Sequence, residues 1–390
     1  MPARPADAVD FSRLRADFPW AANETFLNNA GWHPMPRQSV RAMHDYLEYK
    51  LNGPGDGREM RQSGNQQKAR ALFAQLINAQ PSEIAFVPST LVGENLVVAG
   101  LGIPGGSGNV VTDELHYEGS LYMYKTLAKD GLDLRIVKHR DGKIRLSDVE
   151  QVVDRKTKLI ALSLVSYLNG YRADAKSISD LAHAHGAYVY ADVIQAAGAV
   201  PIDVRALGLD FCACSGYKWL MGDRGLGYLY VREALQGRVL KRTQYGDRQF
   251  NTFQYHIFPH DPPGPAPASW KENAGAGRFY EVGNTANVVA AGHAESLQFI
   301  LGLGVENIRA WNRPLTEKLW KELPRLGYPT LTPADNPTPI VAFVVQDPSK
   351  FRAKLKKANV SVKVEWNQTR VSCSVYNNEH DVDRLLEAVG

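Results

Sequence analysis

The sequence is poor in cysteine, with only 3 among its 390 residues and no C-x-x-C pair. An odd number of cysteines without that spacing predicts neither a disulfide framework nor a zinc site, so we expect no metal centre. Cys212 and Cys214 alternate on one face of a predicted strand, and Cys373 lies in the segment RVSCSVY, which we also interpret as a strand. We interpret all three as small buried hydrophobic side chains.

Long apolar runs and strong charge are also missing. No apolar run reaches the about 18 residues of a membrane-spanning helix, and the stretch MPARPADAVDFSRLRADFPW lacks the apolar centre of a signal peptide. We therefore expect a cytoplasmic protein with no membrane partner. The net charge of +4 is small for this length, and no basic run is interleaved with aromatic residues. A nucleic acid is therefore not an expected partner.

The sequence does contain a series of short segments rich in β-branched and aromatic residues and bounded by turn-forming residues. They are SEIAFVPS, GNVVTDE, LRIVKH, TKLIALSLVS, AYVYADV, LDFCACSG and GLGYLYV. Helical patterns such as SISDLAHAHGA fall between several of them, which predicts an α/β fold with a largely parallel sheet covered on both faces. From about Val305 onward, alternating helix and strand patterns predict a compact α+β unit. We expect a large domain over residues 25–300 and a small domain made of residues 1–24 and 301–390.

One long connection, Gln244–Gly277, is dense in proline and glycine. A loop of this length is typical of a functional lid or of a disordered segment, and its composition does not choose between them. Polar and cationic side chains occur in it and in the stretch DGREMRQSG, namely Arg248, Tyr255, His256, His260, Arg58 and Arg61. If they face a cleft, the distal end of a substrate is polar or acidic; otherwise they are solvated loop residues.

Polar side chains stand at or just after the ends of three predicted strands. Asp192 ends AYVYADV, Lys218 follows LDFCACSG, and His116 follows GNVVTDE. The carboxyl ends of parallel strands meet at one edge of a sheet, where ligands bind. Residues 89–95, STLVGEN, open a helix at the same edge, and the N–H groups of a helix start suit a phosphate. A lysine for a Schiff base, an aspartate for a pyridine nitrogen and a phosphate cradle together predict pyridoxal 5′-phosphate.

These motifs resemble the class V aminotransferase family, which includes cysteine desulfurases, kynureninase-like enzymes and isopenicillin N epimerase. The resemblance rests on D-x-x-Q at residues 192–195, S-G-x-K at residues 215–218 and R-V-S…Y-N near the C-terminus. It extends from FLNNAGWHP, near Phe26, through the last helix pattern. It implies the PLP-dependent transferase fold type I, with a large domain built on a mainly parallel seven-stranded sheet and a smaller α+β C-terminal domain.

The resemblance implies a role for each matching residue around the cofactor. Lys218 matches the Schiff-base lysine, Asp192 the partner of the pyridine nitrogen, and Gln195 a donor to the phenolic oxygen. His116 matches the ring stacked on the cofactor, so that Lys218, Asp192 and His116 are the implied catalytic residues. Phosphate contacts are implied for Thr90, Leu91, Ser215 and Tyr217.

Substrate contacts follow from the same resemblance. Arg370 matches the arginine that binds the substrate's α-carboxylate through its planar guanidinium. Tyr167 stands where the family commonly has an asparagine and is expected to stack or to act as an acid, unless Asn169 supplies that amide instead. Asn29 is expected on the substrate side.

The segment EVGNTAN resembles the stretch that reaches the phosphate site of a partner subunit. The family usually reads Gly-Thr-Pro there, and this chain reads Gly-Asn-Thr, so either Asn284 or Thr285 is the matching residue. The resemblance implies a homodimer with active sites at the subunit interface.

The absence of a cysteine before Arg370 reduces the number of reactions that the resemblance allows. Cysteine desulfurases need a nucleophilic cysteine on a mobile loop before the carboxylate-binding arginine, and residues 350–370 contain no cysteine. A persulfide-forming desulfurase is therefore disfavoured. The expected reaction acts on a small α-amino acid through a Schiff base with the cofactor and loss of the Cα proton, followed by β-elimination of the C–S lyase kind. A class V aminotransferase or an amino-acid epimerase are the alternatives, and a non-catalytic PLP-binding protein is disfavoured because both Lys218 and Asp192 are present.

Overall fold

The structure, a computed structural model, describes residues 9–55, 64–254 and 269–390. The strands are β1 (Thr25–Phe26), β2 (Ile84–Val87), β3 (Asn109–Asp113), β4 (Asp133–Val137), β5 (Thr157–Ser163), β6 (Tyr188–Asp192), β7 (Phe211–Ser215), β8 (Gly227–Val231), β9 (Phe250–Gln254), β10 (Ser269–Glu272), β11 (Ile340–Val344), β12 (Val360–Ser361), β13 (Lys363–Val364) and β14 (Gln368–Ser372). The helices are α1 (Trp20–Asn23), α2 (Arg37–Asn52), α3 (Asn65–Leu76), α4 (Thr90–Gly100), α5 (Glu118–Lys129), α6 (Leu146–Glu150), α7 (Ala175–Ala184), α8 (Gly277–Tyr280), α9 (Asn287–Leu303), α10 (Val305–Arg325), α11 (Pro348–Ala358) and α12 (Glu379–Val389).

The central sheet has seven strands in the order β2-β8-β7-β6-β5-β3-β4. Neighbouring strands run parallel from β7 through β6, β5 and β3 to β4, whereas β8 is antiparallel to both β7 and β2. The predicted α/β fold with a mainly parallel seven-stranded sheet is confirmed. The parallel strands place their carboxyl ends along one edge.

Both faces of this sheet are buried except at the edge strand β4, which explains why the inner strands read as continuous apolar runs. On one face, Cys212 and Cys214 of β7 pack in a core with α3, α7 and α9. On the other face, Phe211 and Ala213 of the same strand pack in a core with α4, α5 and α8. The interpretation of the cysteines as buried side chains is confirmed, and Cys373 is buried as well. The prediction that Cys373 lies within a strand is wrong, because β14 ends one residue before it.

A second, antiparallel sheet of order β11-β14-β13 lies in the C-terminal part of the chain. Leucines of α10, apolar residues of α11 and α12, and Leu27 from the N-terminal segment share one core there. The short strand β1 pairs in parallel with β12, so the start of the described chain is tied to its C-terminal part. The division into residues 25–300 and residues 1–24 with 301–390 stays a prediction.

The long connection Gln244–Gly277 contains regular structure that the sequence analysis missed. Strands β9 and β10 form an antiparallel pair within it. Arg248 donates to the Gln66 side chain at 2.7 Å, so this cation is held against α3. The other polar side chains considered for a lid or an entrance, Arg58, Arg61, Tyr255, His256 and His260, lie outside the described residues.

Within the part of the chain that the structure describes, no single helix is long and apolar enough to cross a membrane; α9 and α10 meet that criterion only as a pair, and they are bent by 74°.

Candidate active site

A cavity of about 220 Å³ lies at the carboxyl ends of β5, β6 and β7. It is lined by many of the residues predicted to bind the cofactor, namely Thr90, Leu91, Asp192, Gln195, Ser215, Tyr217 and Lys218, and by Tyr167, which was predicted to contact the substrate. The cavity is also lined by side chains that the sequence analysis did not single out, among them Tyr117 and Ser163. Strand ends from one edge of a parallel sheet thus converge on a single space, as expected for such a fold.

Two opposite charges are buried in this cavity without an ion-pair partner among the described residues. Lys218 is 8% exposed and Asp192 is 3% exposed. Burial lowers the pKa of the Lys218 ammonium to about 8, against the opposing effect of the Asp192 carboxylate. Burial raises the pKa of Asp192 to about 6, while the Ile194 N–H, 2.9 Å from its Oδ1, favours the ionised form. An amine that reacts with an aldehyde and a carboxylate that pairs with a ring nitrogen fit pyridoxal 5′-phosphate.

The phosphate end of such a cofactor fits the start of α4. Ser89 caps this helix by accepting from the Val92 N–H at 3.3 Å. Thr90 and Ser215 bind each other reciprocally, since the Thr90 N–H donates to Ser215 Oγ and the Ser215 N–H donates to Thr90 Oγ1, both at 2.8 Å. This pairing fixes the end of β7 against the first turn of α4. N–H groups and the positive end of a helix dipole therefore face the cavity, where an anion is favoured.

The turn that carries Lys218 is shaped around a histidine. His293 of α9 lies between Gly216 and Gly222, and its Nδ1 is 2.9 Å from the Tyr228 hydroxyl. A Cβ placed on Gly216 would lie 1.6 Å from His293 Cε1, and one on Gly222 would lie 2.0 Å from His293 Nε2. Burial lowers the pKa of His293 to about 4, so the ring in this cradle is neutral. The two glycines are therefore needed for the approach of the ring to the turn.

We expect Gly216→Ala to destabilise the protein by about 2–4 kcal/mol, because His293 or the lysine turn must move to admit the methyl group. Chemical denaturation of the purified protein measures this loss. Gly302→Ala is the matched control, since nothing lies within 4 Å of a Cβ there. Adding His293→Ala to Gly216→Ala is expected to restore part of the stability. A Gly216→Ala variant as stable as wild type would contradict the packing described for this turn.

The structure differs from the prediction at His116. Its ring is fully buried, with Nδ1 2.9 Å from Ser163 Oγ and Nε2 3.1 Å from Glu94 Oε1, and it does not line the cavity. The next residue, Tyr117, lines the cavity instead and meets the Tyr167 ring edge-on at 5.6 Å between centroids. The sequence carried a signal for Glu94, which is the only charged residue in the apolar helix α4.

Arg370 lies at a second cleft of about 330 Å³ that shares Tyr167 with the first. It is 5% exposed, and its Nη1 donates to the Tyr167 carbonyl at 2.7 Å. Its Nε has no hydrogen-bond partner among the described residues. Burial lowers the pKa of Arg370 to about 10, which leaves the guanidinium charged at neutral pH. Arg370 can therefore bind a carboxylate that enters from the cleft.

The amide of Asn169 is not available at the cavity. Its Nδ2 donates to the Gly142 carbonyl at 2.8 Å, and its Oδ1 accepts from the Tyr171 N–H at 3.0 Å. These contacts hold the turn that follows Tyr167. Of the two alternatives, the structure therefore brings Tyr167 to the cavity.

Asn29 belongs to a segment that connects distant parts of the site. Its Nδ2 donates to the Ser372 carbonyl at 2.8 Å, and its Oδ1 accepts from the Tyr376 hydroxyl at 2.6 Å. Its neighbour Ala30 accepts from Gln195 Nε2 at 2.9 Å. Asn29 is fully buried and does not line either cleft, so the predicted substrate contact is not seen in this structure.

Asn284 and Thr285 lie between α8 and α9 and do not line the cavity of their own chain. Asn284 is exposed and Thr285 is half-buried. Their predicted contact with a partner subunit stays a prediction.

The chain is similar to known proteins over most of its length. The family model described as Aminotransferase class-V matches residues 25–385. A probable cysteine desulfurase of Methanothermobacter thermautotrophicus is 33% identical over 231 residues, which cover 58% of this chain and 57% of that protein. A cysteine desulfurase of Shigella sonnei is 27% identical over 407 aligned residues, which cover 96% of each chain.

Solved structures share the fold. A cystine C–S lyase in complex with its reaction product, cysteine persulfide, has a TM-score of 0.82 at 22% identity and covers 95% of this chain and 98% of its own. A variant of the same lyase, with glycine covalently linked to its PLP cofactor, has the same TM-score and identity and covers 96% and 98%. The predicted PLP-dependent transferase fold type I is confirmed.

Proposed function

We propose that this chain, which belongs to the class-V aminotransferase family, cleaves a Cβ–S bond of a small α-amino acid by β-elimination. It is a pyridoxal 5′-phosphate-dependent enzyme that acts on an amino acid. The observation that carries this proposal is a cavity that joins a buried lysine and a buried aspartate but is lined by no thiol among the described residues. The cystine C–S lyase of the same fold supports the proposal, because it cleaves a C–S bond of an amino acid.

Each residue of the site has a separate role in the proposed reaction. When bound, the cofactor supplies an electron-withdrawing ring that weakens the bonds at the substrate's Cα. Lys218, an amine with a pKa of about 8, removes the Cα proton, and Asp192 holds a positive charge on the ring nitrogen. Tyr117, which lines the cavity where His116 does not, would pack against the face of the ring. Ser215 and the start of α4 bind the phosphate, and Arg370 binds the substrate carboxylate.

The position of the cysteines favours elimination over sulfur transfer to the protein. The chain has three cysteines, and all of them are buried. Burial raises the pKa of Cys373 far above its ordinary value, so its thiol is a poor nucleophile. The sulfur therefore leaves with the second half of the substrate as a free thiol or persulfide. The remaining three-carbon fragment keeps the amino nitrogen, takes up water and is released as pyruvate and ammonium.

A product assay tests this reaction. The holoenzyme is supplied with cystine or an S-substituted cysteine in the absence of any keto acid. We expect pyruvate, ammonium and the sulfur-containing product in equal amounts. Strict dependence on a keto-acid acceptor would assign a transaminase, and exchange of the Cα proton with inversion alone would assign an epimerase. Either result would overturn the proposed elimination.

We expect Arg370→Ala to weaken the binding of α-amino acids about 30- to 1,000-fold, equivalent to about 2–4 kcal/mol for a lost charge-assisted pair. The spectral shift of the bound cofactor measures this affinity. The amine analogue that lacks the carboxylate is expected to bind wild type and variant alike. Arg352→Ala is the control, because this exposed arginine also donates to a carbonyl, that of Val364 at 2.8 Å. An equal response of Arg370→Ala and wild type to amino acids would remove Arg370 as the carboxylate anchor.

We also propose that the enzyme works as a homodimer in which Asn284 or Thr285 reaches the partner's phosphate site. The exposure of Asn284 on the described chain supports this role. Light scattering of the active enzyme measures the assembly. A fully active monomer would contradict it.

A further inference from the structure

A chain of buried polar groups lies behind the cavity. Glu94 of α4 is fully buried, and its carboxylate accepts hydrogen bonds from the Tyr124 hydroxyl at 2.9 Å and from the Ser120 hydroxyl. His116 contacts the same carboxylate with Nε2 at 3.1 Å. None of these four side chains lines the cavity or contributes to the roles described above. Burial of a charged carboxylate is costly unless it is both hydrogen-bonded and paired with a positive charge. The hydrogen bonds to Glu94 are present, so a neighbouring positive charge would complete its stabilisation.

His116 connects this carboxylate to the cavity. Its Nδ1 lies 2.9 Å from Ser163 Oγ, and Ser163 lines the cavity. Ser163 ends β5 and is the register partner of Asp192 on β6. Residues in register on neighbouring parallel strands place their side chains on the same face of the sheet. The path from Glu94 through His116 therefore ends beside Asp192.

The groups around His116 favour its charged form. Glu94 faces it from α4, Asp113 from β3 and Asp192 from β6. Burial by itself lowers the pKa of His116, but the Glu94 carboxylate, its hydrogen bond and the two aspartates outweigh burial and raise the pKa above its ordinary value. A charged imidazole donates from both nitrogens. Ser163 Oγ must then accept, and its only proton is left for the cavity.

We propose that Glu94 and His116 form a buried ion pair that keeps Asp192 ionised and directs the Ser163 hydroxyl proton into the cavity. His116 is then a positioning residue that acts through Asp192 and Ser163. The inference rests on the proposed pairing of Asp192 with the ring nitrogen of the cofactor.

The first test follows the charge of His116 in the protein without cofactor. Side-chain ¹⁵N NMR distinguishes a doubly protonated imidazole from a neutral one, and the variant His116→Gln assigns the signal. In wild type we expect His116 to be charged at pH 7, because the carboxylates around it raise its pKa above the ordinary value. In Glu94→Gln we expect it to be neutral at that pH. A neutral His116 in wild type at pH 7 would overturn the ion pair.

The second test follows cofactor affinity as a function of pH. Protonation of Asp192 weakens its pairing with the ring nitrogen, so affinity falls as the pH drops through the pKa of Asp192, about 6. The positive charge of His116 lowers that pKa, so its removal in His116→Gln raises the pKa and moves this acidic limb to higher pH, by about one pH unit. An unshifted limb in His116→Gln would overturn the proposal.

Matched variants separate this inference from the assignment on which it rests. Tyr124→Phe removes a donor to Glu94 but neither charge of the ion pair, and it is expected to leave the limb in place. Asp192→Asn is expected to abolish the limb. If Asp192→Asn kept wild-type affinity at every pH, the proposed role of Asp192 would fail. If Asp192→Asn lost the acidic limb but His116→Gln left the limb unshifted, only the ion-pair inference would fail. Should His116→Gln not fold, Ser163→Ala replaces it: the NMR signal of His116 must stay charged while cofactor affinity falls, and unchanged affinity would overturn the role of Ser163.

Discussion

Lys218→Ala is expected to abolish the covalent attachment of the cofactor and to lower turnover by at least about 10⁴-fold. Lys218 is the only amine-bearing side chain among the described residues that line the cavity, so no neighbour can replace it. Borohydride reduction followed by peptide mass spectrometry measures the attachment, and the product assay measures turnover. Circular dichroism of the variant checks that the fold is retained.

The attachment also has an expected pH dependence. Only the neutral amine attacks an aldehyde, and the pKa of Lys218 is about 8. The rate of attachment to wild type is therefore expected to rise with pH and to level off above about pH 8. Lys68→Ala is the control, because its ammonium forms a half-exposed ion pair with Glu295 at 2.8 Å, far from the chemistry described here. A reducible covalent bond in Lys218→Ala would show that another lysine carries the cofactor.

Asp192→Asn is expected to lower turnover on the order of 10³-fold, because an amide does not hold a proton on the ring nitrogen. The loss should appear in the step that removes the Cα proton, so deuterium at Cα is expected to slow the variant more than wild type. Steady-state rates with protonated and deuterated substrate measure both effects.

Asp113→Asn is a closely matched control for this substitution. Asp113 also ends a parallel strand, accepts from the N–H two residues on at 2.8 Å, and has its pKa raised to about 6 by burial. It does not line the cavity and reaches Asp192 only through the charge of His116, so the loss of turnover is expected to be far smaller than in Asp192→Asn. Equal losses in the two variants would mean that any buried aspartate at this edge matters, and the assignment of Asp192 would fail.

Sequence patterns predicted the central sheet well because its strands are buried on both faces. In β6 and β7, residues on either face contact a core, so aromatic, β-branched and small apolar side chains run continuously. Strands β9 and β10 escaped prediction for the opposite reason. They lie together outside that sheet and flank a stretch whose proline and glycine content is typical of a loop.

Residues of the candidate site were predicted correctly where the end of a strand fixes their position. They were missed where the direction of the side chain determines whether a residue reaches the cavity. Asp192 ends β6 and Lys218 follows the adjacent strand β7, so the topology alone brings the two residues together. His116 and Tyr117 differ by one position after β3, and the turn there determines which ring meets the cavity. A sequence does not reveal that direction. Glu94 was overlooked because glutamate in a helix usually lies on the solvated face.

The pairing of β1 with β12 also has a consequence for how the protein is made. Thr25 pairs with Val360, and the Asn29 amide binds the Ser372 carbonyl across 343 positions of the chain. At about 5–20 residues per second, a ribosome needs roughly 20–70 s to synthesise that interval. The segment that carries Asn29 and Ala30 therefore waits for this whole interval before its partners exist. Gln195, which donates to Ala30, reaches its final environment only then. The emerging polypeptide can build its central sheet before that interval has passed, but the pocket becomes complete only once Ser372 has been synthesised.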